Sequence, residues 1–371
     1  MEFLYLSEHQ MLEAGVADMK RCNEAMDYMF RLFKQGDYRE GGENNDSHGL
    51  RLTFPKESSI PNMPLAAPGK WFTAMPAYLG GRYHAVGIKC YGADQTNPDK
   101  GIPRSVLMMS LMDADTGVPL AYMSANVLSA ARTGAVTGLF AKYMAPANPK
   151  RIAIVGPGIM SRYSLDSIMV EFPEINEIAV LGRGQKNLIK FKNHCNKMGY
   201  KFAKYEESSS MEEVCRDADI VVTASTQAPT FEEYPHIAQR YLKKNALVAI
   251  VSALRVDKSM VDDDLNVVHV ADDSRQYCKK RTIDAMPLDP NDPTITYKNG
   301  LFARISSDRE VLNMAEIVSN PNFKRDQNKI YVCASGGMPV EDVAWAYECY
   351  ETAKSKGIGT VLELWDHSEL M

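Results

Sequence analysis

The chain has 371 residues, enough for two domains whose apolar cores need no disulfide or metal staples. Its hydrophobic fraction of 45%, charged fraction of 24% and net charge of −5 are those of a globular protein and give no electrostatic support to nucleic-acid binding. No apolar run is long enough to span a bilayer, and Met1-Glu-Phe-Leu-Tyr-Leu-Ser-Glu lacks the basic start and apolar core of a signal peptide, so a cytoplasmic protein with no membrane partner is expected.

Residues 7–35 open on Ser7-Glu-His-Gln10, a capping segment, and continue with Met11, Ala14, Met19, Met26, Met29, Phe30, Leu32 and Phe33 at helical spacing. A polar, glycine-rich loop then leads to strand-like runs at 50–54, 71–78, 83–91 and 105–112. Asp113-Ala-Asp115-Thr-Gly117 is a turn, and 118–123 is the returning arm of a hairpin. The first 123 residues therefore read as α+β with a mostly antiparallel sheet. Read as edges, 50–54 and 105–112 are apolar enough to require cover, which points to a homodimer.

Ser124 is placed to cap a helix running to about Met144, through Leu128, Ala131, Ala135 and Leu139. From residue 150 strands and helices alternate: 151–155, 161–171, 177–182, 185–198, 201–204, 211–216, 219–224, 236–242 and 247–252. That rhythm predicts a doubly wound parallel sheet. Residues 256–330 are irregular and rich in Asp and Pro. The chain then forms an apolar strand at 329–334, Ser335-Gly-Gly-Met-Pro339 and a helix from about Val340 to Lys356, both expected to return to the first domain.

Within the alternating part, Lys150-Arg-Ile-Ala-Ile-Val-Gly156-Pro-Gly158-Ile-Met-Ser161 is a strand running into a glycine turn and a helix. Unpaired N–H groups and the positive end of a helix dipole at such a turn suit a pyrophosphate. Ser161 stands where a third glycine or alanine is usual and is still small enough for close packing. The second strand ends in Leu181-Gly182-Arg183-Gly184-Gln185-Lys186, without the acidic residue that NAD ribose prefers. Arg183, with Lys186, is suited to a ribose phosphate, so NADP is expected ahead of NAD. Thr223, Ser225 and Thr226 end the next strand on the cofactor side, where loop capping accounts for them equally well. The seven cysteines show no Cys-x-x-Cys and the seven histidines no His-x-x-x-His, so reduced thiols and no metal are expected.

This order of parts resembles the ornithine cyclodeaminase/μ-crystallin family across nearly the whole chain. The residues that carry the resemblance are Met75-Pro76, Val86-Gly-Ile-Lys89, Asp113-Ala-Asp-Thr-Gly-Val-Pro-Leu-Ala121, Leu128-Ser-Ala-Ala-Arg-Thr-Gly134 and Ser335-Gly-Gly-Met-Pro-Val-Glu-Asp-Val-Ala344. Gly80-Gly81 and Gly357-Ile-Gly359 are similar to a subgroup often labelled as a component of tyramine oxidase. The resemblance implies a Rossmann-type doubly wound parallel sheet (residues 125–328) inserted into an α+β substrate-binding and dimerisation domain (1–124 plus 329–371). It implies nicotinamide-dependent chemistry on small amino or imino acids or amines. It implies too that Arg51, Lys89 and Arg132 hold the substrate carboxylate. Cations in apolar surroundings are costly unless an anion is supplied, although any one of them alone is more simply explained by a structural Asp or Glu.

Lys89, with Arg132, is the expected catalytic residue, since a lysine among apolar groups and cations has a lowered proton affinity and suits proton transfer at an imine nitrogen. Expected cofactor contacts are Thr133, Gly156, Gly158, Ile159, Met160, Arg183, Lys186, Thr223, Ser225, Ser335 and Gly336. Where cyclodeaminases carry a catalytic Asp, this chain has Leu254, with Asp257 nearby. That departure favours an NADP-dependent oxidoreductase over an NAD-recycling cyclodeaminase, and the retained Arg51, Lys89 and Arg132 speak against a catalytically silent nucleotide binder. His48, Tyr78, Tyr83, His84 and Tyr91 are further residues spaced to face the crevice, with a core or surface position equally open for each.

Overall fold

The computed structural model describes residues 1–42, 49–67, 69–225, 233–252, 254–273, 294–297 and 311–369. The chain divides into two compact units, Met1–Arg132 with Met338–Met371, and Thr133–Gly337.

The first unit opens with β1 (Glu2–Leu6), α1 (Glu8–Glu13) and α2 (Met19–Gln35). Ser7 and Gln10 form a reciprocal capping box on α1. Gly15, at a φ of +85°, interrupts what the periodicity suggests is one helix over 7–35. There follow β2 (Tyr38–Glu40), β3 (Leu50–Leu52), β4 (Trp71–Leu79), β5 (Ala85–Ala93), β6 (Ser105–Asp113) and β7 (Pro119–Ser124). With β19 (Thr360–Glu363) they make one sheet in the order β19-β1-β7-β6-β5-β4, and β2 and β3 share the outer edge of β4. Pairing from β4 to β7 is antiparallel, while β1 lies parallel to β7.

Two expectations change here. The strand at 105–113 has β5 on one side and β7 on the other, so it is not an edge. The exposed apolar residues lie on a face instead. Register puts Phe72, Val106, Met108 and Tyr122 on the side of the sheet opposite Lys89, and they are 38% to 50% exposed. The helix α3 (Asn126–Met144) begins two residues after Ser124, which stays in β7. The Asn126 amide holds that start to β6, accepting from Leu107 N (2.9 Å) and donating to Ser105 O (2.7 Å).

The face that carries Lys89 is packed by α9 (Pro339–Lys356). A Cβ at Gly87 would stand 2.4 Å from Met109 and 2.8 Å from Val343, so a side chain there would keep α9 off the strand. The fully buried Trp345 of α9 donates its indole N–H to Val16 O (3.1 Å).

In the second unit β8 (Arg151–Val155), α4 (Ile159–Glu171), β9 (Glu177–Leu181), α5 (Gln185–Lys197), β10 (Lys204–Glu207), α6 (Met211–Cys215), β11 (Ile220–Thr223) and β13 (Leu247–Ile250) follow the predicted alternation. With β15 (Val267–Ala271), β17 (Leu312–Asn313) and β18 (Ile330–Ala334) they form a parallel sheet in the order β10-β9-β8-β11-β13-β18-β15-β17. Two short helices, α7 (Lys258–Asp262) and α8 (Met314–Ser319), lie in the stretch that the sequence leaves irregular. All residues of β8, β11, β13 and β18 are buried, as two-sided cover of a parallel sheet requires. Gly134 and Gly138 of α3 let α4 approach, since a Cβ at either would meet Tyr163 or Ser167 below 3 Å.

The strand at 330–334 thus belongs to this sheet, between β13 and β15, and does not return to the first unit. Its wholly apolar run suits a central parallel strand better than a half-exposed antiparallel one. The divisions fall after residues 132 and 337, not after 124 and 328. Residues 236–242 form a short strand, β12 (His236–Ile237), and a single 3₁₀ turn, not a helix. Pro235 O accepts from Arg255 N and Gln239 N donates to Asp257, so the two groups that a first helical turn would join are both taken. That partner strand, β14 (Leu254–Asp257), also pairs with β16 (Thr294–Tyr297) in a small third sheet.

Candidate active site

Lys89 on β5 and Arg132 on α3 are both buried in the first unit, at 2% and 6% exposure. Each meets carboxylates from the first turn of α9, and both of those carboxylates are fully buried. Asp342 accepts from Lys89 Nζ through Oδ2 (2.5 Å) and from Arg132 Nε through Oδ1 (2.9 Å). Glu341 accepts from the Arg132 guanidinium at 2.5 Å, and Ser129 lies 3.4 Å from its other terminal nitrogen. The cluster is formally neutral, which offsets much of the cost of removing four charges from water.

The anion that these cations require is therefore supplied by the chain itself, the simple structural account for each. Sequence reasoning passed over Glu341 and Asp342. Their local signal is a Pro-led helix start with acidic residues in its first turn, which reads as dipole compensation. Burial pushes the Lys89 ammonium down to about 8 and Arg132 adds to that, with Asp342 and Glu341 opposing. For Arg132 burial works against the charge, but Asp342 and Glu341 outweigh it and hold the guanidinium more firmly protonated than usual.

Arg51 stands apart from this cluster in exposure but shares its face. Register sets Arg51, Thr73 and Tyr91 in one row, and Met75, Lys89 and Met109 in a row on the same side of the sheet. The exposed Arg51 guanidinium lies 5.0 Å from the centre of the Trp71 ring. Of the aromatic and histidine candidates, Tyr91 lies beside Lys89, with Nζ 5.9 Å from its ring centre. Tyr83 is a core residue packed by Tyr28 and Tyr347. Tyr78 points to the opposite face of the sheet, and His84 bonds Tyr78 (3.3 Å) and Asp115 (3.0 Å) at the turn between β4 and β5. These three do not join the Lys89 cluster. His48 lies outside the described residues.

In the second unit Gly156 has a φ of +83°, and a Cβ there would stand 2.6 Å from Ser225 Cα. Gly158 caps α4 with no side-chain bond, and a Cβ at that position would meet no atom closer than 4.0 Å, so the helix end is open at Ile159 and Met160. Ser161 donates its hydroxyl to Gly156 O (2.7 Å), which holds the turn. The Thr223 and Ser225 hydroxyls, at the carboxyl end of β11, are buried and have no hydrogen-bond partner among the described residues. Ser252, following β13, is in the same condition and was not foreseen. The two glycine N–H groups are themselves taken, Gly156 N by Leu181 O (2.9 Å) and Gly158 N by Gly156 O (2.7 Å), so it is the open start of α4 and the hydroxyls without a partner among the described residues that fit a dinucleotide phosphate.

A Cβ on Gly182 would come 2.8 Å from Pro157, so the loop that carries Arg183 leaves β9 against the glycine turn. Arg183 and Lys186 are exposed, and neither makes an ion pair among the described residues. Thr133 is buried and accepts from the Thr137 hydroxyl (3.1 Å). Ser335 and Gly336 do not offer free donors. Asp272 accepts from Gly336 N (2.7 Å), Gly337 N (2.8 Å) and the Ser335 hydroxyl (3.2 Å). Burial raises the Asp272 carboxyl, while the backbone N–H groups of Gly337, Asp273 and Gly336 oppose the rise. Leu254 is fully buried, and Asp257 is held by His236 (2.9 Å) and Gln239 N (3.1 Å). Thr226 lies outside the described residues. Among them no helix is long and apolar enough to cross a membrane.

The sequence profile of the ornithine cyclodeaminase/mu-crystallin family matches residues 16–357. Over 366 residues the chain is 26% identical to the alanine dehydrogenase of Archaeoglobus fulgidus, covering 98% of this chain and 99% of that protein. Over 305 residues it is 26% identical to the Delta(1)-pyrroline-2-carboxylate reductase of Bacillus cereus, covering 81% and 87%. A solved archaeal alanine dehydrogenase dimer with bound NAD matches with a TM-score of 0.76 at 23% identity, over 98% of this chain and 100% of that one. It has the same mixed α/β fold with a Rossmann-like sheet. The narrower resemblance to a tyramine oxidase component finds no support in these relatives.

Proposed function

Since the chain belongs to the ornithine cyclodeaminase/mu-crystallin family, we propose that it is an NADP-dependent oxidoreductase that reduces an imine, or oxidises an amine, at the α carbon of a small amino or imino acid. The observation that carries this reading is a buried lysine of lowered proton affinity, held beside a buried arginine on the sheet face that also bears Arg51. Asp342 and Glu341 neutralise Lys89 and Arg132 in the cluster, and Arg51, on the same face of the sheet, is the third cation suited to the substrate carboxylate. Arg132 has N–H groups left over to orient it. Lys89 then gives a proton to the imine nitrogen in reduction, or removes one from the amine in oxidation.

A bound nicotinamide dinucleotide supplies the hydride chemistry at the α carbon. The residues suited to its phosphates are the Gly156–Gly158 turn, the open start of α4 and the Thr223 and Ser225 hydroxyls. Arg183 and Lys186, with no carboxylate beside them at the end of β9, favour the ribose-phosphorylated form. The fully buried Leu254 and the engaged Asp257 argue against a cyclodeaminase, which needs a free carboxylate there.

The exposed apolar face of Phe72, Val106, Met108 and Tyr122 favours a homodimer, as in the solved alanine dehydrogenase. A monomeric mass in solution would remove that part. The activity is tested by a spectrophotometric screen of amino acids, amines and cyclic imines with NADP(H) and NAD(H) in parallel. Turnover with NADP(H) and a carboxylated substrate is expected, and a clear NAD preference overturns the cofactor assignment.

A further inference from the structure

We infer that Asp342 is the positioning residue for proton transfer: by taking one N–H from Lys89 and one from Arg132, it aims the remaining Lys89 protons and sets the charge that surrounds them. The inference rests on the proposed role of Lys89. Both oxygens of Asp342 are used, one on each cation, and the carboxylate is wholly buried. An ammonium has three N–H groups in a tetrahedral arrangement, so fixing one restricts the other two. The residues opposite Lys89 on the adjoining strands are Met75 and Met109, which give an ammonium no comparable acceptor.

The charged and titratable groups around Lys89 are Arg132 from α3, Glu341 and Asp342 from α9, and Tyr91 from its own strand, with Cys22 of α2 near Arg132 and Glu341. Without the Asp342 charge, two cations face one carboxylate. The proton on Lys89 is then held less tightly, because burial and Arg132 both push it off and the main opposing group is gone. Glu341 is the control, since it bonds Arg132 and touches Lys89 only through space.

The test compares Asp342→Asn, Asp342→Glu and Glu341→Gln with the parent protein. Two quantities are read: the pH profile of kcat, and the titration of the Lys89 ε-methylene by NMR, assigned by its loss in Lys89→Arg. In Asp342→Asn the Lys89 titration and the kcat limb should both move about 1 pH unit or more to lower pH. Glu341→Gln should move them less, and Asp342→Glu should restore most of the parent profile. A folded Asp342→Asn protein that loses activity while the Lys89 titration stays in place overturns the inference, leaving a structural role. A displaced Lys89 titration with an unmoved kcat limb overturns instead the role of Lys89 on which the inference rests.

Discussion

The candidate sites of the two units handle charge in opposite ways. The first buries two cations and two carboxylates in one hydrogen-bonded cluster, held together by residues from β5, α3 and α9. The second keeps Arg183 and Lys186 at the surface and offers, beside its glycine turn, the open start of α4 and neutral hydroxyls. Buried charges are held in one geometry by their partners, which suits bond making at a defined atom. Exposed cations and backbone donors form a site that binds a large anion without much stored electrostatic energy. Placing chemistry in the first and binding in the second is the account that the following changes are meant to break.

The largest effect is expected at Lys89. Lys89→Ala should lower turnover by about 10²–10⁴-fold, the usual contribution of a general acid or base, with nucleotide affinity unchanged in a binding titration. Normal turnover in that variant removes Lys89 from the mechanism. Next comes Arg132→Met, which leaves two buried carboxylates facing one cation and should destabilise the protein by about 3–5 kcal/mol in chemical denaturation. Arg183→Ala, by contrast, should leave stability unchanged. Its effect belongs to the cofactor: a loss of about 10–100-fold in NADP affinity, from a charge-assisted hydrogen bond of about 1.5–3 kcal/mol, with NAD affinity little altered. Equal loss for both cofactors would mean that Arg183 does not read the ribose phosphate.

The smallest effect is the pH dependence of the parent protein. Burial lowers the Lys89 ammonium to about 8. The reductive reaction needs the protonated form and should fall as pH rises through that value, while the oxidative reaction should rise over the same range. Steady-state rates in both directions check this, and limbs of the same sign would exclude a single shared proton donor.

These differences also explain what was legible in the sequence. The glycine turn is local: Gly156, Gly158 and Ser161 stand within six residues, and the left-handed φ and the Ser161 bond arise there, whereas the close approach to Ser225 is seen only in the fold. Lys89 and Arg132 were marked by family resemblance, but their partners were not. The return of the 340–356 helix to the first unit was expected, but Asp342 is 253 positions from Lys89, and nothing near either residue announces that the two meet. The strand at 330–334 was misassigned for a related reason. It adjoins α9 in sequence, yet the division between the units falls between them, and only its two-sided burial tells which sheet it joins. Tyr83 and His84 show the limit of spacing alone, which leaves a polar aromatic or histidine near a strand end open between crevice, core and surface until its neighbours are seen.

The most direct test follows a deuteride carried on reduced NADP during turnover of a carboxylated imine. The account predicts one deuterium at the product α carbon for each reduced cofactor consumed. Cyclisation of a diamino acid with release of ammonia and no net consumption of reduced cofactor would contradict it.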